Sequence, residues 1–109
     1  MKGRPKLVWN NHEEERKLFL NVVKAMYEAC KYTNAHVFAT ETAILNVGNF
    51  EMIVKGETIE SAFHFYINCG DDEIVSASTL KECCCKFIKK EKERIELIKR
   101  LEAIERRNL

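Results

Sequence analysis

No apolar run in this 109-residue sequence approaches the roughly 20 residues that cross a bilayer as a helix. A polytopic membrane protein is therefore excluded. Proline occurs once and glycine four times, which excludes a collagen-like repeat. The basic start, Met1-Lys2-Gly3-Arg4-Pro5-Lys6, has no apolar stretch after it, so no secretory signal is expected. Excess charge of either sign is also missing: the formal net charge is +1. Strong nonspecific nucleic-acid binding draws on phosphate neutralisation, and near neutrality argues against it. No residue constellation carries an enzymatic signature, and no enzyme activity is expected.

The chain does have the composition of a folded domain. Hydrophobic residues make up 46% and charged residues 32%, which excludes a wholly disordered chain. The length suits one domain. Five cysteines, Cys30, Cys69, Cys83, Cys84 and Cys85, are odd in number and irregular in spacing. Such usage predicts free thiols in a reducing cytoplasm and not a disulfide scaffold.

Charge is unevenly distributed. Residues 1–33 carry a net +3, residues 34–75 a net −6 and residues 76–109 a net +4. Two basic ends flank an acidic middle, an arrangement able to attract phosphate on one side and basic protein surface on the other.

The fold class expected is α+β: an N-terminal helix, a three-stranded antiparallel meander that Val37–Thr40 extends to four if it pairs, and a long C-terminal helix. Residues 1–9 read as a basic flexible arm, and residues 10–109 as a single domain from which the C-terminal helix projects. Asn11 and Glu14 have capping-box spacing, and Glu13, Glu14 and Glu15 suit the positive end of a helix dipole. Leu18, Phe19, Val22, Met26, Ala29 and Cys30 recur at helical spacing. Leu20, Val23 and Tyr27 add apolar character elsewhere, so burial on more than one side is expected, with the helix ending near Thr33-Asn34. Gly48-Asn49 between two apolar runs is a hairpin signal. Residues 58–68 alternate, Ile59, Ser61, Phe63, Phe65 and Ile67 on one side, and read as a strand. Gly70-Asp71-Asp72-Glu73 reads as a loop. Thr79 and Glu82 form a capping box for a helix from Leu80 to about Arg107.

That last helix has two apolar stripes. Leu80, Cys84, Phe87, Ile88, Ile95 and Ile98 form one, suited to cover the sheet. Leu97, Leu101 and Ile104 form another, left over for a partner or a second copy. No heptad pattern persists for three repeats in the apolar residues.

Several motifs resemble functional ones. Lys2-Gly3-Arg4-Pro5-Lys6 resembles half of an AT-hook, whose Gly-Arg-Pro core lies in the minor groove, but the preceding Pro-Arg is missing. Gly70-Asp71-Asp72 resembles the metal-binding hairpin of palm-domain polymerases; the chain is too short for such an enzyme, and a solvated turn is favoured. Cys83-Cys84-Cys85 points three thiols about 100° apart on a helix, a poor metal geometry. Cys84 then belongs to the core. His12, His36 and His64 are dispersed; His64 shares a strand face with Glu60 and Tyr66. No metal or other cofactor is expected.

The order helix, three strands, helix is similar in outline to double-stranded-RNA-binding domains. Their Lys-Lys-x-Ala-Lys motif is replaced here by Ser78-Thr79-Leu80-Lys81-Glu82-Cys83. In size and class the chain is similar to small phage-encoded inhibitors of bacterial defence, anti-CRISPR proteins among them. Two functions follow as expectations. The first is a non-enzymatic protein-binding module or inhibitor, with Leu97, Leu101, Ile104, Asp71, Asp72 and Glu73 as contacts and homodimerisation through the last helix. The second is a nucleic-acid-binding accessory protein using Lys2, Arg4, Lys6, Lys86, Lys89, Lys90 and Arg94. No membrane contact is expected in either.

Overall fold

Two glycines in the left-handed region set the turns of the sheet, Gly48 at φ 59° and Gly70 at φ 61°. The computed structural model describes residues 12–31, 41–56 and 63–108. In chain order they form α1 (Glu13–Ala29), β1 (Glu41–Val47), β2 (Phe50–Lys55), β3 (His64–Cys69), β4 (Asp72–Ala77) and α2 (Leu80–Arg107). The strands make one antiparallel sheet in the order β1-β2-β3-β4. The architecture is α+β, as the alternation and capping signals predict.

The sequence reading leaves out one strand of the sheet. Val37–Thr40 lies outside the described residues, as do Asn11, the arm at 1–9 and positions 58–62 of the expected strand 58–68. The strand left out is β4, whose first two residues, Asp72 and Glu73, fall in the segment read as a loop. Only Gly70-Asp71 turns; Asp72 already pairs with Cys69. The positive φ of Gly70 lets a two-residue link reverse the chain, as Gly48-Asn49 does between β1 and β2. A register shift between Ile67 and Asn68 interrupts the alternation that would otherwise mark the strand.

Both helices cover one face of the sheet. Phe50, Met52 and Val54 of β2, Phe65 and Ile67 of β3, and Val75 and Ala77 of β4 point into the core. The i, i+2 spacing puts each set on one side of the pleat. Phe19 and Val23 of α1 and Cys83, Cys84 and Phe87 of α2 close it from above. The buried line of α1 thus runs through Phe19 and Val23, not through Leu18 and Ala29, both of which are exposed. The helix is buried on one side, because the sheet and α2 meet it there, and it ends at Ala29.

The start of α1 differs from the expected Asn11 cap. His12 holds the N-cap position at φ 59° with no side-chain cap bond. Its ring lies 3.1 Å from the Asn49 amide nitrogen, and Asn49 also donates its backbone N–H to Glu15 Oε2 at 3.0 Å. The β1–β2 turn is thereby fastened to the first turn of α1. The backbone bond, with a second one donated by the Asn49 side-chain amide to Glu15 Oε2 at 3.2 Å, holds the Glu15 carboxyl below its ordinary value. A Cβ added at Gly48 would fall on the Glu15 carboxyl group, whereas one added at Gly70 meets nothing within 4 Å. Gly70→Ala is expected to cost about 1 kcal/mol for its φ alone. Gly48→Ala carries the same backbone cost and also displaces Glu15, so urea denaturation should show the larger loss there. Equal losses would mean that the Glu15 contact contributes nothing.

α2 begins as the sequence predicts, with Thr79 Oγ1 accepting the Glu82 N–H at 3.1 Å. Its 28 residues measure about 42 Å at 1.5 Å per residue. The molecule extends 58 × 28 × 20 Å, an elongation that α2 accounts for. No helix among the described residues is long and apolar enough to cross a membrane.

Candidate interaction surface

The core-facing line of α2 keeps strict three-four spacing through Cys84, Phe87, Glu91 and Arg94, and half-buried Ile98 continues it. A heptad seam is present but its middle is charged, which hides it from a reading of apolar residues alone. Glu91 is only 2% exposed. Its carboxylate accepts Arg16 Nε at 2.7 Å and Arg94 Nε at 2.8 Å. Arg94 then forks onto Glu13, with Nη1 and Nη2 at 3.1 and 3.0 Å. Arg16 also lies over the Phe50 ring, 5.0 Å from its centroid. Glu13, Arg94, Glu91 and Arg16 thus alternate in sign and tie α1 to α2 at the point where α2 leaves the domain.

The Arg94 hydrogen bonds hold the Glu13 carboxyl below its ordinary value against a smaller opposing effect of burial. Burial is also the largest influence on Arg94 and pulls its pKa down, but the bonds to Glu13 and Glu91 outweigh it, and the net shift is upward. This network was missed in the sequence. Its available signal was the i, i+3 pair Glu91–Arg94 interrupting an otherwise apolar line.

Beyond the network, residues 95–107 form a tail. Arg94 to Arg107 spans about 20 Å. Leu97 is 39% and Ile104 52% exposed, and Leu101 lies half-buried between them. Ile95 and Ile98 sit on the α1 side, where Glu13, Lys17, Lys99 and Glu102 line a groove of about 450 Å³ with them. At 100° per residue, Leu97, Leu101 and Ile104 continue the side of α2 that carries Lys86 and Lys90. That side lies along β4: Lys86 Nζ donates to the Ser76 carbonyl at 3.0 Å and Lys90 Nζ to the Ile74 carbonyl at 2.8 Å. The apolar row therefore runs on past the end of β4, where Asp71, Asp72 and Glu73 are exposed. The fold brings both halves of the expected partner surface to one end of the molecule.

The basic residues are less concentrated. Lys2, Arg4 and Lys6 lie outside the described residues. Lys86, Lys89 and Lys90 line a groove of about 480 Å³ with Glu73 and Glu93. Two of those ammonium groups already engage carbonyls of β4, an edge strand among the described residues; lysines in this position discourage strand addition. Arg94 is buried in the ion network and is not part of that surface.

The cysteine triplet separates by side. Cys83 and Cys84 are buried and Cys85 is exposed; Cys83 joins the core beside Cys84. Burial pushes the Cys83 thiol up to about 11 and the Cys84 thiol up to about 12, so neither is a nucleophile near neutral pH. In native protein at pH 8, a maleimide should label Cys85 before either neighbour, with Cys83 and Cys84 reacting only on unfolding. Early labelling of Cys84, located by mass spectrometry, would place α2 in a different rotation. Among the described residues, no group of three or more His, Cys, Asp or Glu side chains gathers as a metal site requires. His64 and Tyr66 have ring centroids 6.3 Å apart on the outer sheet face, and Lys55 Nζ lies 5.5 Å from the Tyr66 ring; Glu60 lies outside the described residues.

Searches of protein-family models, of curated proteins and of solved structures find no match to this chain.

Proposed function

We propose that this chain is a non-enzymatic protein-binding module whose contact surface is the end of the fold at which the α2 tail departs. One observation carries the reading. An exposed apolar row, Leu97 to Ile104, continues the side of α2 that runs along β4 toward its acidic end, where Asp71 to Glu73 are exposed. Apolar centres with charged margins are the composition of protein contact sites. The Glu13–Arg94–Glu91–Arg16 network supports the reading, since it fixes the root of the tail and lowers the ordering cost of a contact made there. An inhibitor of the size and class that phages use against bacterial defence works in this way, by covering a partner's surface. The free thiols fit a reducing compartment such as the cytoplasm.

The test is capture on the tagged full chain, with and without nuclease, alongside Leu97→Glu/Ile104→Glu and Asp71→Lys/Asp72→Lys. A protein retained by the native chain, lost with either variant and indifferent to nuclease is the expected result. Retention that disappears on nuclease treatment, and persists in both variants, would replace this reading with nucleic-acid binding through the basic residues.

A further inference from the structure

The row on the tail reads nearly the same in both directions. Leu97 and Ile104 stand four and three residues from Leu101 on one side of α2. We infer that the tail pairs antiparallel with the tail of a second copy of this chain, about a two-fold axis close to Leu101. The inference rests on the reading of this end as a binding surface, and names its partner.

Leu97 then packs on the partner's Ile104, and Leu101 on its own counterpart. Reversing a near-symmetric row onto itself leaves no apolar position opposite a charge, which is what an isologous contact requires. Charge agrees with this direction. Arg107 stands in the last turn of α2, on the flank of the row, and the antiparallel arrangement lays it against Glu93 and toward the acidic turn Asp71-Asp72-Glu73 of the other copy. Both sides of this pairing occur twice, once at each end of the contact.

The parallel alternative conflicts with the fold. Lys86 and Lys90 hold β4 along the side of α2 from which the row emerges. A parallel partner would have to set its own β4 in the same space. Antiparallel tails place the two domains at opposite ends of the contact, with each β4 clear of the other. The apolar contact spans about two helical turns, with the charges flanking it. It is small beside the roughly 1,200–2,000 Å² of a standard interface, so the association is concentration-dependent.

Sedimentation equilibrium of the full chain from about 1 μM to about 1 mM tests this, with circular dichroism to confirm folding of each variant. The expected mass rises from monomer to dimer across the series. Leu97→Glu/Ile104→Glu, both at exposed positions, holds it at monomer with unchanged helicity. Arg107→Glu weakens the dimer roughly two- to fivefold, and adding Glu93→Arg to it restores the loss. Native protein that remains monomeric throughout overturns the inference, as does a dimer that survives the double Glu variant. So does a dimer insensitive to Arg107→Glu, since the antiparallel arrangement sets that charge against Glu93 of the other copy. If the native chain is monomeric while the Leu97→Glu/Ile104→Glu chain still loses a different captured protein, self-pairing fails and the protein-binding reading stands.

Discussion

Glu91→Gln should lower the unfolding free energy by about 3–5 kcal/mol, although the two side chains are nearly the same size. Glu91 is 2% exposed, and the Arg16 and Arg94 side chains on either side of it are 11% and 8% exposed. Removing its charge takes a carboxylate from two guanidinium groups already stripped of most of their water, while Glu13 stays bonded to Arg94. Breaking a buried pair costs more than the pair contributes when intact, because the desolvation has already occurred. Replacing the cluster together is expected to behave differently. Arg16→Met/Glu91→Leu/Arg94→Met should lose much less stability than Glu91→Gln, and denaturant midpoints with matched slopes read the difference. A loss of under about 1 kcal/mol for Glu91→Gln would mean that water reaches the cluster.

The pH dependence of the same network follows from Glu13. Its folded pKa lies below the ordinary 4.5 because Arg94 donates two hydrogen bonds to it. A depressed carboxyl contributes stability above the unfolded value and loses it as pH falls through the folded one. Stability should therefore decline below about pH 4.5, and Glu13→Gln should flatten part of that decline. An unchanged acid limb in Glu13→Gln would assign the effect to other carboxylates.

Much of the architecture was legible because local signals and burial agree. Gly48-Asn49 has apolar runs on both sides, and the structure turns there. Phe65 and Ile67 alternate with His64, Tyr66 and Asn68, and only the first pair is buried. Thr79 caps α2 through Glu82. β4 was not read because three acidic side chains at positions 71–73 look like a solvated loop, and the register shift after Ile67 breaks the period that would have shown otherwise. Gly70-Asp71 carries the same turn chemistry as Gly48-Asn49, so the second hairpin was readable in principle. The helix seam is the more instructive miss. Burial at Glu91 and Arg94 depends on Arg16 and Glu13, which lie 75 and 81 residues away in sequence. No local period reveals that two charges on one helix will be neutralised by two on another. For the contact surface, the sequence shows an apolar row and an acidic run, but only the direction of α2 along β4 brings them to the same end.

Phe19→Ala should cost about 3–5 kcal/mol, a large share of the roughly 5–15 kcal/mol that holds a domain of this kind together. Phe19 is fully buried. Its ring meets Phe87 edge to face at 5.2 Å and Phe50 at a 35° tilt and 5.6 Å. It therefore joins α1 to both α2 and the sheet, and the two remaining rings cannot collapse far into the space its removal leaves. The neighbouring residue gives the comparison. Leu18 belongs to the apolar stripe expected from sequence but is exposed in the fold, so Leu18→Ala should change stability by no more than about 0.5 kcal/mol. The two substitutions differ by one position, about 100° around the helix, and together they fix the rotation of α1. Comparable losses at both would mean that α1 turns its Leu18–Val22 side inward. Because Arg16 lies one helical turn before Phe19 on the buried line, that rotation would also carry its guanidinium away from Glu91, and Glu91→Gln would then lose its large effect. A large loss at Phe19, a small one at Leu18 and a large one at Glu91 are thus a single result about one helix face.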